Sequence, residues 1–203
     1  TVLQYPAVAD EMSRALSLLA KSGEELEQCL GKNTGGLPRG TILESWSNPF
    51  QPYHMANTRA NIDHFLLSRK LSEEAEGILI NALDKANAKD KSFINSFLVT
   101  ARILNYSSTR FILAKTISDR WANSSEKNKK DDFVIYDISY SCHGLLVDAM
   151  DQIGELKSEY EKAWKDEYKT YRLNTMLGRF DVEYGLWRKL FIRVLDHRIQ
   201  LKD

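Results

Sequence analysis

A chain of 203 residues that is 43% hydrophobic has ample material for a buried core and needs no covalent or metal staple to fold. Lysine plus arginine equals aspartate plus glutamate at 28 each, so no net field favours nucleic acid or a charged membrane surface, and neither is expected as a partner. Two cysteines, Cys29 and Cys142, are too few for a disulfide framework, and no apolar run approaches the ~18 residues of a membrane-spanning helix.

The chain opens at Thr1 and enters an amphipathic pattern within a few residues, as an excised domain or processed product would. Residues 1–203 are expected to form a single helical domain, a fragment of a longer multidomain chain. From Pro6 to Leu30 the residues Val8, Met12, Ala15, Leu19, Leu26 and Cys29 recur at steps of three, four or seven, the apolar face of a first helix. Asn33 to Pro52 follows, rich in glycine and proline, as a long loop. Within it Trp46 and Phe50 flank Asn48-Pro49. These rings either wrap over helix ends or contact a partner domain or a sugar ring.

Tyr53 to Ser68 reads as a second helix with Ile62, Phe65 and Leu66 inward. Ser72 then reads as the N-cap of a third helix reaching Ala88, with Glu73 and Glu74 favoured in its first turn by the helix dipole. Ser92 to Asn123 carries Phe97, Ala101, Leu104, Ser108, Phe111 and Trp121 on a helix that spans the domain. Ser124 to Asp132 is a polar, lysine-rich loop. A fifth helix carries Ile138, Cys142, Leu145, Ala149, Ile153, Leu156, Tyr160 and Trp164, with Gly144 and Gly154 weakening its continuity by about 1 kcal/mol each. The last runs from Asn174 to Leu201, with Met176, Phe180, Tyr184, Trp187, Phe191 and Val194 on one face. All four prolines precede residue 53, so the expected fold is all-α, an antiparallel bundle of about six helices, three of them long.

Chemistry is hard to find in these residues. His54, His64, His143 and His197 show no i, i+3 or i, i+4 pairing, and Cys142 with His143 would point about 100° apart on a helix, so no metal site is expected. No Gly-x-Ser-x-Gly nucleophile turn occurs, and Gly35-Gly36 lacks the Lys-Ser/Thr ending of a phosphate loop. No catalytic residue and no cofactor are expected. The adjacent acids at Asp10-Glu11, Glu24-Glu25, Asp131-Asp132 and Asp166-Glu167 read as solvated helix faces. Arg172, Arg179 and Asp181 stand apart on a strongly aromatic helix. Either Arg172 or Arg179 pairs with Asp181 or caps neighbouring helix ends, or these residues contact a partner domain or ligand.

The stretch Ala163-Trp164-Lys165-Asp166-Glu167-Tyr168-Lys169-Thr170-Tyr171-Arg172, followed by Asn174 and Arg179-Phe180-Asp181, resembles the helical region after the barrel in bacterial glycoside hydrolase family 20 proteins, the β-N-acetylhexosaminidases. Asn48-Pro49-Phe50 after Trp46 resembles the turn opening that extension in Bacteroides-type members. The likeness covers about the last forty residues and that short turn. The chain has no predicted barrel strands and no Asp-Glu pair at a strand end, the pair that performs substrate-assisted hydrolysis in the family. The resemblance therefore implies an accessory helical domain of a glycoside hydrolase and not its active site. It implies the catalytic barrel of the same polypeptide as partner, carbohydrate as a further ligand class, and a periplasmic, cell-surface or secreted location. On this reading Trp46, Phe50, Trp164, Tyr171, Arg172, Arg179 and Asp181 contact the partner or a sugar. Two alternatives stay open: a stand-alone interaction module holding a helix or peptide in a groove, and an independent small-molecule enzyme or carbohydrate binder using Trp46, Trp164 and Tyr171.

Overall fold

Apolar spacing becomes six α-helices in a computed structural model that describes residues 8–30, 46–125, 135–140, 144–167 and 170–196. They are α1 (Ala9–Leu30), α2 (Pro52–Ala60), α3 (Ile62–Lys85), α4 (Ala88–Asn123), α5 (Leu145–Glu167) and α6 (Leu173–Leu195), with a π-helical turn at Tyr136–Tyr140. Among the described residues there is no strand, and the fold is all-α. Pro52 opens α2, where its missing N–H costs nothing. Just ahead, the Asn48 side chain accepts a bond from the Phe50 N–H at 3.0 Å, and the Asn48 N–H donates to His54 Nδ1 at 3.0 Å, closing the turn that aims Phe50 inward.

α4 is the spine. Its 36 residues rise ~54 Å and serve two groups of helices. On one side α1, α3 and α4 share a core in which Met12, Ala15 and Leu26 meet Phe65, Leu79, Ile94 and Ala101. Phe65 of α3 stacks on Phe111 of α4 with ring centroids 4.3 Å apart. On the other side α4, α5 and α6 enclose Ala114, Ile117, Leu146, Ala149, Trp187 and Leu190, joined by Met55 of α2 and Ile138 of the π turn. Each such Leu, Ile or Phe contributes about 1.5–3 kcal/mol by burial. Because both groups close on α4, residues 106–111 are buried all round the helix, polar ones included.

A hydroxyl seam joins α1, α3 and α4. Ser22, Ser68 and Ser108 are all fully buried. Ser22 and Ser68 hydroxyls lie 2.9 Å apart, each also bonds the other residue's carbonyl, and Ser108 donates to Ser68 at 2.9 Å. The bonds satisfy groups that burial alone would make costly.

Five expectations about elements are corrected, the simplest being Leu66, expected inward but 47% exposed on α3. The second and third helices divide at Asn61 and not before Ser72, because Asn61 leaves helical geometry at φ −116°, ψ 15° while α3 runs on through Ser72. Ser72 is no N-cap; it is buried in mid-helix and its hydroxyl bonds the Arg69 carbonyl at 2.8 Å. The fifth helix does not run unbroken from Ile138: the π turn comes first and α5 starts at Leu145. A Cβ on Gly144 would lie 3.0 Å from the Ser139 carbonyl carbon, so a side chain there would require the Ser139 backbone to give by a few tenths of an ångström. On α6 the buried stripe is Leu173, Leu177, Phe180, Glu183, Trp187, Leu190 and Val194, and Tyr184 faces out. Cys142, His143 and His197, most of the long early loop, and most of the lysine-rich loop lie outside the described residues.

Candidate functional site

The aromatic residues singled out in the sequence separate into two groups at opposite ends of the spine. Trp46 is half-buried, edge-on to Trp187 with centroids 4.7 Å apart, and Phe50 is buried edge-on to Trp121 at 5.6 Å. Both rings lie over the C-terminal half of α4 and α6, where they complete the core. Trp164 sits near the end of α5, half-buried, beside an apolar groove of about 420 Å³ formed with Ser96, Val99, Thr100, Ile103, Tyr160 and Ala163. Val99 and Trp121 are ~33 Å apart along α4 at 1.5 Å per residue, so the two aromatic groups cannot share one ligand.

The groove is built from ordinary helix packing. Val99 and Ile103 stand one turn apart on α4, and Tyr160 and Trp164 one turn apart on α5. Tyr160 leans on Phe180 of α6 at 5.3 Å and on Trp164 at 5.7 Å, which holds the tryptophan at the rim. Just beyond, the chain turns into α6 through Arg172, whose φ of 58° is left-handed. For a residue with a Cβ that geometry costs roughly 1–2 kcal/mol. The turn is held by the Leu173 N–H donating to the Thr170 carbonyl at 3.1 Å and the Met176 N–H to the Arg172 carbonyl at 3.2 Å. It presents Tyr171, 73% exposed, with the Arg172 guanidinium 5.3 Å from its ring centroid.

The alternative in which Arg172 pairs with Asp181 is not what the geometry holds. Asp181 is exposed and accepts from Lys157 Nζ at 2.6 Å, bridging α6 to α5. Arg179 is half-buried on α6.

Sequence reasoning missed the strongest polar constellation. Arg110 and Glu183 are each 2% exposed and meet at 3.0 Å between Nη1 and Oε2. The Tyr106 hydroxyl donates to Glu183 Oε1 at 2.8 Å and accepts from Trp187 Nε1 at 3.0 Å. Burial pushes the Glu183 carboxyl above its ordinary range, an effect opposed and not cancelled by Arg110 and the Tyr106 hydroxyl. Burial and then the nearby carboxylate push the Tyr106 phenol well above its own. Arg110 Nε and Nη2 have no hydrogen-bond partner among the described residues. These four side chains tie α4 to α6 across the bundle centre and have no access to solvent chemistry. The available signal was register: Glu183 lies three residues after Phe180 and four before Trp187, on the stripe both occupy.

A polar cleft of about 410 Å³ lies between α3, α4 and α5, where Arg102 bridges Glu76, at 2.8 Å, and Glu159. No group of three His, Cys, Asp or Glu side chains among the described residues could hold a metal, and no described helix is long and apolar enough to cross a membrane. Burial, then Glu25, raises the Cys29 thiol to about 11, which keeps it protonated and unreactive at neutral pH. No family model, no curated protein and no solved structure matches the chain.

Proposed function

We propose that this chain is an accessory helical domain of a glycoside hydrolase of the β-N-acetylhexosaminidase type, packing on a catalytic barrel of the same polypeptide. The carrying observation is the apolar groove at Trp164 next to the exposed Tyr171-Arg172 turn. Ala163 and Trp164 of the groove's lining, and the Tyr171-Arg172 turn, fall within the stretch, Ala163 to Asp181, that resembles the family's helical extension. An aromatic residue and a stacked arginine at a left-handed turn are costly to display to water alone and suit a partner surface. Interdomain contacts of this kind bury ~600–1,500 Å². Trp46 and Phe50 contribute indirectly on this reading, since their rings hold the far end of the bundle together and are spent on its core.

The test compares the gene product as encoded with the 203-residue chain, by intact mass and by hydrolysis of a chromogenic N-acetylglucosaminide. A longer product that cleaves the sugar, beside a folded and inert 203-residue chain, supports the proposal. A native product that ends where this chain ends, with neither form active, overturns it. The groove also favours a second reading, a stand-alone interaction module that seats an apolar helix between Val99 and Trp164. That reading gains from the outcome that removes the first.

A further inference from the structure

The polar cluster at the bundle centre holds a phenol in a setting that no exposed tyrosine has. Among the described residues Tyr106 is the one buried tyrosine. Its hydroxyl donates to Glu183 Oε1 at 2.8 Å and accepts from Trp187 Nε1 at 3.0 Å. The buried Trp187 in turn meets Trp46 edge-on, with ring centroids 4.7 Å apart, and Trp46 is half-buried. An unbroken line of contacts therefore runs from the surface through two indoles to a buried phenol. No solvent or substrate can follow that line. An electron can, because it needs contact between side chains and not an opening.

Removing an electron from a phenol turns it into a very strong acid, so a tyrosine is readily oxidised only where a base takes its proton. Glu183 is placed as that base, within hydrogen-bond reach of the proton it would accept. Arg110, 3.0 Å from its other oxygen, favours the carboxylate form, while burial makes that carboxylate hold a proton more tightly than an exposed one. Once the proton has moved, the tyrosyl radical is neutral and its ring carries no charge into a medium that penalises one. Trp187 has no such base. Its Nε1 faces the Tyr106 hydroxyl, whose own proton already points to Glu183, so an oxidised Trp187 stays a buried cation in the same cluster as Arg110. The oxidised state therefore comes to rest on the tyrosine.

We propose that Trp46, Trp187 and Tyr106 form a one-electron relay, in which an outer-sphere one-electron oxidant acting at Trp46 leaves a neutral radical on Tyr106 and the phenolic proton on Glu183. The oxidant takes one electron from Trp46, Trp187 refills Trp46, and Tyr106 refills Trp187 as its O–H bond breaks and the proton passes to Glu183 Oε1. Both indoles end unchanged, the oxidant is reduced by one electron and Tyr106 is oxidised by one. The relay uses none of the residues of the Trp164 groove, so this inference is independent of the hydrolase reading.

Photogenerated tris(bipyridine)ruthenium(III) supplies the oxidant for a test on the 203-residue chain. Freeze-quench electron paramagnetic resonance reads the product, and ring-deuterated tyrosine identifies it by the collapse of its hyperfine pattern. The parent should show a tyrosyl radical that outlives those on exposed Tyr53, Tyr136 and Tyr171, since a buried radical cannot couple to a second molecule. Tyr106→Phe, which removes only the hydroxyl, should lose the long-lived signal. Trp46→Phe, at the rim, should lose most of it while its helical circular dichroism is kept. Glu183→Gln, which can accept a hydrogen bond but not the proton, should lose it as well. A parent with no long-lived tyrosyl signal overturns the proposal. So does a signal that survives in Tyr106→Phe or Glu183→Gln, or one undiminished in Trp46→Phe.

Discussion

Glu183→Leu should be among the most damaging single changes in this molecule, and adding Arg110→Met to it should repair most of the damage. Among the described residues Glu183 is the one hydrogen-bonded partner of the Arg110 guanidinium, and Nε and Nη2 find none. Removing the carboxylate strands a buried cation, which costs about 3–5 kcal/mol. It also leaves the Tyr106 hydroxyl without its acceptor, worth about 1 kcal/mol more. Against a total stability of roughly 5–15 kcal/mol that is a large share. Arg110→Met alone should be milder, about 2–3 kcal/mol, because the Glu183 carboxyl, already raised by burial, can take up a proton and stay neutral. The double variant has no buried charge and should lose only about 1–2 kcal/mol, less than Glu183→Leu by itself. Urea unfolding followed by tryptophan fluorescence gives all four corners of the cycle, with Trp187 reporting from beside the pair and equal slopes confirming a common unfolded state. A double variant as unstable as Glu183→Leu would refute the reasoning, since the loss would then come from packing and not from a stranded charge.

The same carboxyl gives a pH dependence of known sign. Its folded pKa lies above the unfolded value near 4.5, so the folded state holds the proton more tightly, and this contribution to stability is lost as pH rises from about 4.5 through the folded pKa. The stability of the parent minus that of Glu183→Gln should therefore fall over that window and level off above it, as urea midpoints at stepped pH would show; a flat or rising difference would contradict the assigned direction. Gly77→Ala on α3, where a Cβ meets open space, should stabilise by about 0.5–1 kcal/mol. Gly144→Ala should destabilise instead, because its Cβ would lie 3.0 Å from the Ser139 backbone, and thermal melts of the two variants moving in the same direction would count against this account.

Long helices were legible because their apolar residues recur at helical steps. α1 and α4 carry the stripes expected of them and α5 the part of its stripe from Ala149 to Leu156, and the all-α bundle follows from those stripes together with the confinement of proline to the first quarter. The errors share a cause: the sequence shows residue type, whereas burial depends on what stands opposite. Ser72 has the chemistry of an N-cap, but in a helix closed on two sides its hydroxyl turns back to the Arg69 carbonyl. Tyr184 was expected on the inward face, whereas Glu183 takes the inward place, held there by Arg110 and Tyr106, more than seventy positions earlier. The Trp164 groove was likewise hidden, because its far wall, Val99 and Ile103, belongs to a distant helix with ordinary apolar spacing.

Ser22, Ser68 and Ser108 act as an alignment key for the first three-helix group. Leucine and alanine faces tolerate a slide of one helical turn, ~5.4 Å, because one apolar contact replaces another. Hydroxyl pegs do not: after such a slide three buried oxygens would face hydrocarbon, at about 1–3 kcal/mol each. Out-of-step dockings of α1 on α3 and α4 are thus penalised by groups that add little to the depth of the native state, and the bundle obtains one arrangement from residues too small to fill its core.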